Sequence, residues 1–180
     1  MARPIDELEG FIPSLRRYAR SLTHDADQAD DLVQETLLKA IGNIDRFDPE
    51  TNLRAWLFTI LLNTFKSQRR MAARRGVHVE WEDTADQSVQ PPVQDLSMEL
   101  KAFARAIEEL PGHERETLML VALEGFSYGE AAAVLGTEIG TVKSRVSRAR
   151  AKLRDFDDAD SEPSTPPPAR PHSRPTSNAA

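Results

Sequence analysis

The chain has 180 residues and no cysteine, and 29 Asp and Glu against 23 Lys and Arg give it a formal net charge of −6. The lack of cysteine excludes disulfides and thiolate metal sites. The acidic balance excludes a uniformly basic coat for nucleic acid, so any such surface must be local. The N-terminus MARPIDELEG has no signal-peptide pattern, and no apolar run is long enough to span a bilayer. We therefore expect a soluble, cytoplasmic protein that makes no membrane contact.

Helical periodicity dominates the chain and strand-like alternation is almost absent, so we predict an all-α fold. A first helix is predicted from about Ile5 to Leu22, and a second from the acidic segment HDADQADD to about Ile44. The second helix has a predicted buried stripe of Ala29, Val33, Leu37, Ala40 and Ile44. Its opposite side carries Asp31, Gln34, Glu35 and Leu38. An exposed leucine in an acidic patch suits either a solvated face or docking onto another helix.

The loop DRFDPETN, which spans residues 45–52, precedes a third helix predicted from Leu53 to about Met71. A narrow polar face on this helix holds Thr59, Asn63, Lys66 and Arg70, with Trp56 at its edge. Basic residues then follow with no acid among them: Lys66, Arg69, Arg70, Arg74 and Arg75. An aromatic ring beside a basic stripe is typical of single-strand binding. Trp56 is nevertheless more simply explained as a core residue, whereas the segregated cations are harder to explain as a solvated face.

Residues 76–96 contain acids, the Pro91-Pro92 pair and no Lys or Arg, which predicts a flexible acidic linker. Trp81 is too apolar for a simple spacer, so part of the linker is expected to dock.

The C-terminal part begins with a helix that starts near Leu96 and stops at Pro111-Gly112, followed by a second helix that ends at Gly125. Ser127 and Glu130 form a capping-box pattern that opens a short helix from Tyr128 to Leu135. Gly136 breaks that helix, and a last helix is predicted from Thr141 to Arg154. A short helix, a glycine turn and a second helix predict a helix-turn-helix.

The last helix has two different faces at helical spacing. Its inward stripe is Val142, Val146, Ala149 and Leu153. Its outward side holds Ser144, Ser147, Arg148 and Ala151, flanked by Lys143, Arg150 and Arg154. Small hydroxyls and long cations are suited to a DNA major groove. A solvated charged face is the simpler alternative. Residues 156–180 are acidic and then Pro-rich, which predicts a disordered tail.

Three segments carry a family resemblance. DQADDLVQETLLKA, NLRAWLFTILLNTFKSQRR and the stretch from LPGHERETLML to SRVSRARAKL resemble an extracytoplasmic-function (ECF) sigma factor of the sigma-70 family. The match spans about residues 8–154. The segments GFSYGEAA and GTVKSRVSRAR resemble the EcfG-like subgroup, which runs the general stress response. The resemblance implies sigma region 2 at residues 1–75, the acidic linker at 76–96, sigma region 4 at 97–155 and a tail at 156–180.

The resemblance also implies roles for particular residues. Asp31, Gln34, Glu35 and Leu38 would dock on the β′ coiled coil of core RNA polymerase, and the second domain would rest on the β flap. The −10 element of promoter DNA would be bound by Arg46, Phe47, Asn52, Trp56, Asn63, Lys66, Arg69 and Arg70. The −35 element would be read by Lys143, Ser144, Ser147 and Arg148. A small anti-sigma factor is a further expected partner.

Three alternative functions are weaker. A sigma-mimic decoy that sequesters an anti-sigma factor would be expected to lose the DNA-facing cations. A helix-turn-helix repressor does not explain the first domain. An enzyme is disfavoured because His24, His78, His113 and His172 are scattered and no catalytic set is apparent. We therefore expect no catalytic residue, metal, cofactor or small-molecule substrate. One departure from the family is Glu138, at the entrance of the last helix, which could favour the helix N-terminus or weaken −35 binding.

Overall fold

The computed structural model describes residues 4–74 and 98–160, and over these ranges it contains helices and turns but no strand. This confirms the predicted all-α class. The N-terminal group comprises α1 (Pro4–Glu7), α2 (Ile12–Thr23), α3 (Ala26–Gly42) and α4 (Leu53–Arg74). The C-terminal group comprises α5 (Met98–Glu108), α6 (Gly112–Leu118), α7 (Tyr128–Leu135) and α8 (Ile139–Asp160).

The single helix predicted from Ile5 to Leu22 was wrong, because the structure divides this segment into α1, a 3-10 turn at Leu8–Phe11 and α2. The physical reason is Pro13 in the first turn of α2. A proline lacks the N–H for an intrahelical bond, and its ring clashes with the carbonyl four residues earlier. A continuous α-helix therefore cannot run through Glu9 to Pro13.

Local side-chain caps set the start of the two longest N-terminal helices. The Asp25 carboxylate accepts a hydrogen bond from Gln28 N at 2.7 Å and opens α3, directly after His24 in the left-handed conformation. Asn52 Oδ1 accepts a bond from Ala55 N at 3.2 Å at the start of α4. Such caps satisfy backbone donors that have no partner within the helix. Asn52 therefore has a structural role besides the predicted contact with DNA.

In the C-terminal group, α6 continues into a π-helical turn at Met119–Leu123, and Gly125 follows with φ 69°. The bounds of α7 agree with the predicted helix Tyr128–Leu135. The last helix is longer than predicted at both ends, since α8 begins at Ile139 and extends to Asp160. The predicted tail boundary at residue 156 therefore falls within a helix, while the rest of the tail, residues 161–180, lies outside the described residues.

The two helical groups pack on each other and share one hydrophobic core, which the sequence did not predict. The rings of Phe58 on α4 and Phe126 before α7 lie 5.0 Å apart in an edge-to-face contact, and Tyr18 on α2 lies 5.3 Å from Phe58. All three side chains are buried. The predicted linker, including Trp81, lies outside the described residues.

Candidate nucleic-acid interface

The helix-turn-helix is present as predicted and is stabilised by its own local bonds. Ser127 Oγ accepts from Glu130 N at 3.2 Å, and the Glu130 carboxylate accepts in return from Ser127 N at 2.9 Å. This reciprocal capping box opens α7. Gly136 ends α7 in the left-handed region, at φ 64°, where side chains other than glycine are strained. The turn at residues 136–138 then leads directly into α8.

The exposure of α8 agrees with the predicted division of its faces. Val142, Val146 and Ala149 are buried against the C-terminal group. The four residues predicted to read the −35 element are exposed: Lys143, Ser144, Ser147 and Arg148. Ser144 Oγ donates to Thr141 O at 2.9 Å, so its hydroxyl is oriented by its own helix and its oxygen can still accept a bond. The face has the size and polarity that a major groove admits.

Arg148 also has a partner within the protein. Its Nε donates to Glu114 Oε1 at 3.0 Å, and Lys152 Nζ donates to Glu114 Oε2 at 3.0 Å. The Glu114 side chain is only 4% exposed, whereas that of Arg148 is 55% exposed. Burial acts to raise the pKa of Glu114, but the bonds and charges of Lys152 and Arg148 outweigh it and lower the pKa. Sequence reasoning missed Glu114, which lies 34 residues from Arg148.

Glu138 lies at the entrance of α8 and acts there through its backbone. Its carbonyl accepts from Thr141 N at 3.0 Å and from Val142 N at 3.1 Å, which is the bonding of a helix N-cap residue. The residue is exposed. An exposed carboxylate at the positive end of the helix dipole is stabilising. Its effect on phosphate binding stays a prediction.

The polar face of α4 is exposed in part. Asn63, Arg69 and Arg70 are exposed and Lys66 is partly buried, while Leu57 and Leu61 on the opposite side are buried. The guanidinium of Arg69 lies 5.7 Å from the centre of the Phe65 ring. This cation–π contact holds one predicted DNA contact against the helix surface. Arg75 lies outside the described residues.

The remaining residues predicted to bind the −10 element lie in and just after the loop before α4, and they differ in exposure. Arg46 and Asn52 are exposed, whereas Phe47 is 8% exposed and packs on Trp56 with ring centres 5.2 Å apart. Trp56 is partly buried against the core, which agrees with its interpretation as a core residue. Phe47 and Trp56 thus support the loop in this structure, and contact of either ring with DNA stays a prediction.

On α3 the predicted polymerase-docking face is open. Asp31 and Gln34 are exposed and Leu38 is 71% exposed, and sequence reasoning missed Ile41, which is exposed one turn further on. Glu35 accepts from Lys39 at 2.6 Å and from Gln68 at 2.6 Å. These bonds, that of Lys39 foremost, lower the pKa of Glu35. The carboxylate is therefore charged and held in one position at neutral pH.

A second buried carboxylate joins the two helical groups. The side chain of Glu124 is 0% exposed and accepts from Arg17 Nε at 2.9 Å and Arg17 Nη2 at 3.1 Å. It also accepts from Arg54 Nη2 at 3.0 Å, and Arg54 bonds the Glu124 carbonyl as well. Close by, Asn52 Nδ2 donates to Glu130 Oε1 at 2.8 Å. A predicted −10 residue is thus bound to the capping box of the helix-turn-helix.

Two parts of the chain match known protein families. Family models match residues 8–62 as the sigma2 domain of PhyR and residues 100–153 as sigma-70 region 4. The chain is 50% identical over 148 residues to the ECF RNA polymerase sigma factor EcfG of Rhodopseudomonas palustris, covering 82% of this chain and 81% of that protein. The chain belongs to the ECF sigma factors. Its likeness to EcfG confirms the predicted EcfG-like subgroup.

Two solved structures resemble this sigma factor. One is the sigma factor RpoE in complex with the anti-sigma factor NepR from Bartonella quintana, with a TM-score of 0.72 and 44% identity over 86% of this chain and 96% of that chain. The other is CnrH in complex with the cytosolic domain of CnrY, with a TM-score of 0.63 and 35% identity over 87% of this chain and 88% of that chain.

The family assignment means that this sigma factor directs promoter-specific transcription initiation.

Two findings apply only to the residues that the structure describes. Over residues 4–74 and 98–160, no helix of the sigma factor is long and apolar enough to cross a membrane. Within the same ranges no group of three or more His, Cys, Asp or Glu side chains could hold a metal ion.

Proposed function

We propose that this sigma factor binds core RNA polymerase through the exposed face of α3 and reads promoter DNA at two separate surfaces. The α4 face and the loop before it bind the −10 element, and the N-terminal half of α8 reads the −35 element. The chain supplies specificity and has no catalytic step of its own. The observation that carries the proposal is a pair of exposed cation clusters in a chain of net charge −6: α4 carries Arg69, Arg70 and Arg74 with no acid in the helix, and α8 carries Lys143, Arg148 and Arg150 with no acid before Asp155.

The closed packing of the two groups bears directly on this function. The Asn52 amide donates to Glu130 at 2.8 Å, so the helix-turn-helix group occupies one of the two N–H donors that this amide of the −10 loop could offer to a base. The basic face of α8 and the −10 loop also belong to groups that share a core. We propose that this core opens when the protein assembles with polymerase, and that linkage of two weak DNA-binding surfaces then raises their joint affinity.

A small anti-sigma factor is the second proposed partner. Among the solved relatives, RpoE is bound to the anti-sigma factor NepR and CnrH is bound to the cytosolic domain of CnrY. A pull-down from unstressed cells should recover a small protein together with this chain. Recovery of polymerase alone would count against this partner.

Run-off transcription with purified core polymerase on genomic promoter fragments tests the main proposal. New transcripts are expected with the unmodified chain. Leu38→Ala, on the α3 face, should weaken core binding, while Leu123→Ala, which removes an equally sized exposed leucine elsewhere, should not. The absence of new transcripts from a folded protein would overturn the proposal.

The decoy remains as a second candidate because residues 8–62 match the sigma2 domain of PhyR, and the PhyR of Bartonella quintana is an anti-anti-sigma factor solved in complex with the anti-sigma factor NepR. The 50% identity to a sigma factor and the exposed Lys143 and Arg148 favour the sigma function. The same run-off assay separates the two functions, since a decoy that binds an anti-sigma factor yields no transcript of its own.

A further inference from the structure

Glu114 has an unusual position for a carboxylate behind a DNA-binding helix. It lies in the first turn of α6, its side chain is 4% exposed, and both of its oxygens accept bonds from α8. Oε1 binds Arg148 Nε at 3.0 Å and Oε2 binds Lys152 Nζ at 3.0 Å, with His113 Nε2 3.9 Å away. Burial of a charge is costly unless it is paired in this way.

The bond leaves the outer end of Arg148 unused. Glu114 engages only Nε, and the two Nη groups donate no hydrogen bond to any residue that the structure describes. Because the guanidinium is planar and rigid, fixing Nε also restricts where the Nη groups can point. More than half of the Arg148 side chain remains exposed.

The charge of the cluster also suits an anion. Arg148 and Lys152 contribute two positive charges against one carboxylate, so the cluster keeps a net positive charge at the surface. Charge-assisted bonds of this kind are shorter and stronger than neutral ones, and they hold a long side chain that would otherwise lose rotamer freedom on binding DNA.

We propose that Glu114 is a positioning residue for −35 recognition: it holds Arg148 by Nε so that the Nη pair is presented to the DNA. The inference rests on the proposed function, because it assumes that Arg148 contacts the −35 element. Two other roles are physically distinct. Glu114 could sequester Arg148 from DNA, or it could serve only as a tether between α6 and α8.

The test compares four variants of the full-length chain, each reconstituted with core polymerase. They are Glu114→Gln, Arg148→Ala, the combination of both, and Lys152→Met as the matched control, which removes the other cation bound to Glu114. Run-off transcription first identifies a promoter fragment that the parent chain uses. The readout is then the affinity of each variant for this duplex fragment, divided by its affinity for the same fragment with a scrambled −35 segment. Urea unfolding of each variant reports whether the fold is retained.

Positioning predicts a non-additive result. Arg148→Ala should lower the affinity ratio by about tenfold and Glu114→Gln by roughly three- to tenfold, while the combination should lose no more than Arg148→Ala alone. Lys152→Met removes the other cation of the cluster and should weaken binding to both fragments alike, so the ratio itself should change by less than about twofold.

Each other outcome overturns the inference in a recognisable way. A higher ratio for Glu114→Gln would mean that the carboxylate sequesters Arg148. An unchanged ratio for Glu114→Gln, or equal losses for Glu114→Gln and Lys152→Met, would reduce Glu114 to a tether. If Arg148→Ala itself has no effect, the proposed −35 role of Arg148 fails, and that failure is distinct from failure of Glu114 alone.

Discussion

Glu124 and Glu114 are two buried carboxylates, each held by two cations, but they join different parts of the molecule. Glu124 is bound by Arg17 and Arg54 of the N-terminal group, whose side chains are 51% and 29% exposed. Glu114 is bound by Arg148 and Lys152, which belong to its own C-terminal group. The first carboxylate is therefore part of the interface between the groups, and the second lies beneath the face of α8 that is proposed to read DNA.

The difference shows how one kind of interaction can serve two purposes. Removal of the carboxylate at Glu124 takes a partner from both Arg17 and Arg54, and the Arg54 guanidinium lies 5.5 Å from the Phe58 ring and 4.4 Å from the Phe126 ring. Removal at Glu114 leaves Arg148 and Lys152, which are 55% and 44% exposed, whereas Arg54 beside Glu124 is only 29% exposed. We therefore expect Glu124 to control the closed arrangement and the global stability, and Glu114 to control mainly how α8 presents its cations.

The largest effect is expected for Glu124→Ala. The substitution removes three hydrogen bonds to a carboxylate that is 0% exposed and leaves the partly buried Arg54 with only the backbone carbonyl of residue 124. Breaking a fully buried ion pair lowers the free energy of unfolding by about 3–5 kcal/mol. We expect a loss of about 2–4 kcal/mol here because both arginines reach solvent. Urea unfolding measures the loss.

The same variant should also separate the two groups. Because the chain has no cysteine, Asp27→Cys and Ala133→Cys at exposed positions can carry a dye pair that reports the distance between α3 and α7. Glu109→Ala, at an exposed glutamate of the same group, is the control and should change neither measurement. An unchanged dye distance in a destabilised Glu124→Ala protein would show that the shared apolar core alone holds the closed state.

A smaller and more specific opening is expected for Asn52→Asp. The new carboxylate retains the oxygen that caps α4 through Ala55 N, but it replaces the amide that donates to Glu130 at 2.8 Å. Two carboxylates at that distance repel, and at an exposed site we expect a loss of about 1 kcal/mol that salt reduces. The dye distance at low and high salt measures it.

The combination Asn52→Asp with Glu130→Gln provides the rescue. Glutamine keeps one oxygen for Ser127 N and offers its amide to the new carboxylate, so the bond between groups forms again with donor and acceptor exchanged. The closed dye distance should return. A distance that stays long in the combined variant would mean that Glu130 acts on the interface only through its capping of α7.

Local features of this fold were predictable because their causes are local. The capping box of Ser127 and Glu130 and the glycine at residue 136 determine the ends of α7 within a single turn on either side. The exposed positions on α3 and α8 follow from helical spacing alone. The division at Pro13 was also available in the sequence, since proline cannot continue the preceding helix.

The pairings between distant segments were not predictable. Arg17 and Glu124 are 107 residues apart and Arg54 and Glu124 are 70 apart, and no periodicity or motif links them. A charged residue on a helix has many possible partners until tertiary packing brings one of them near. Arg148 illustrates this point, because its exposed position was predicted correctly while its bond to Glu114 depends on how α6 crosses α8.

The smallest expected effect is on the pH dependence of stability. Two glutamates of α6, Glu114 and Glu116, have pKa values shifted in opposite directions from the usual 4.5. The bonds of Lys152 and Arg148, which outweigh burial, lower the pKa of Glu114. Burial raises the pKa of Glu116, despite the opposing charges of Lys66, Arg69, Arg145 and Arg115. The folded state therefore favours the charged form of Glu114 and the protonated form of Glu116.

The sign of the pH dependence follows for each variant. Relative to Glu114→Gln, the parent chain should be more stable at neutral pH, and this advantage should decline as the pH falls below 4.5 through the lowered pKa of Glu114. Relative to the parent, Glu116→Gln should be more stable by less than about 1 kcal/mol at pH 7, and its gain should vanish toward pH 4, where the carboxyl is protonated in both states. Urea unfolding of both variants and the parent between about pH 2.5 and pH 7 measures these trends. A Glu116→Gln protein that loses stability at pH 7 would show that the surrounding cations stabilise Glu116 by more than its burial costs.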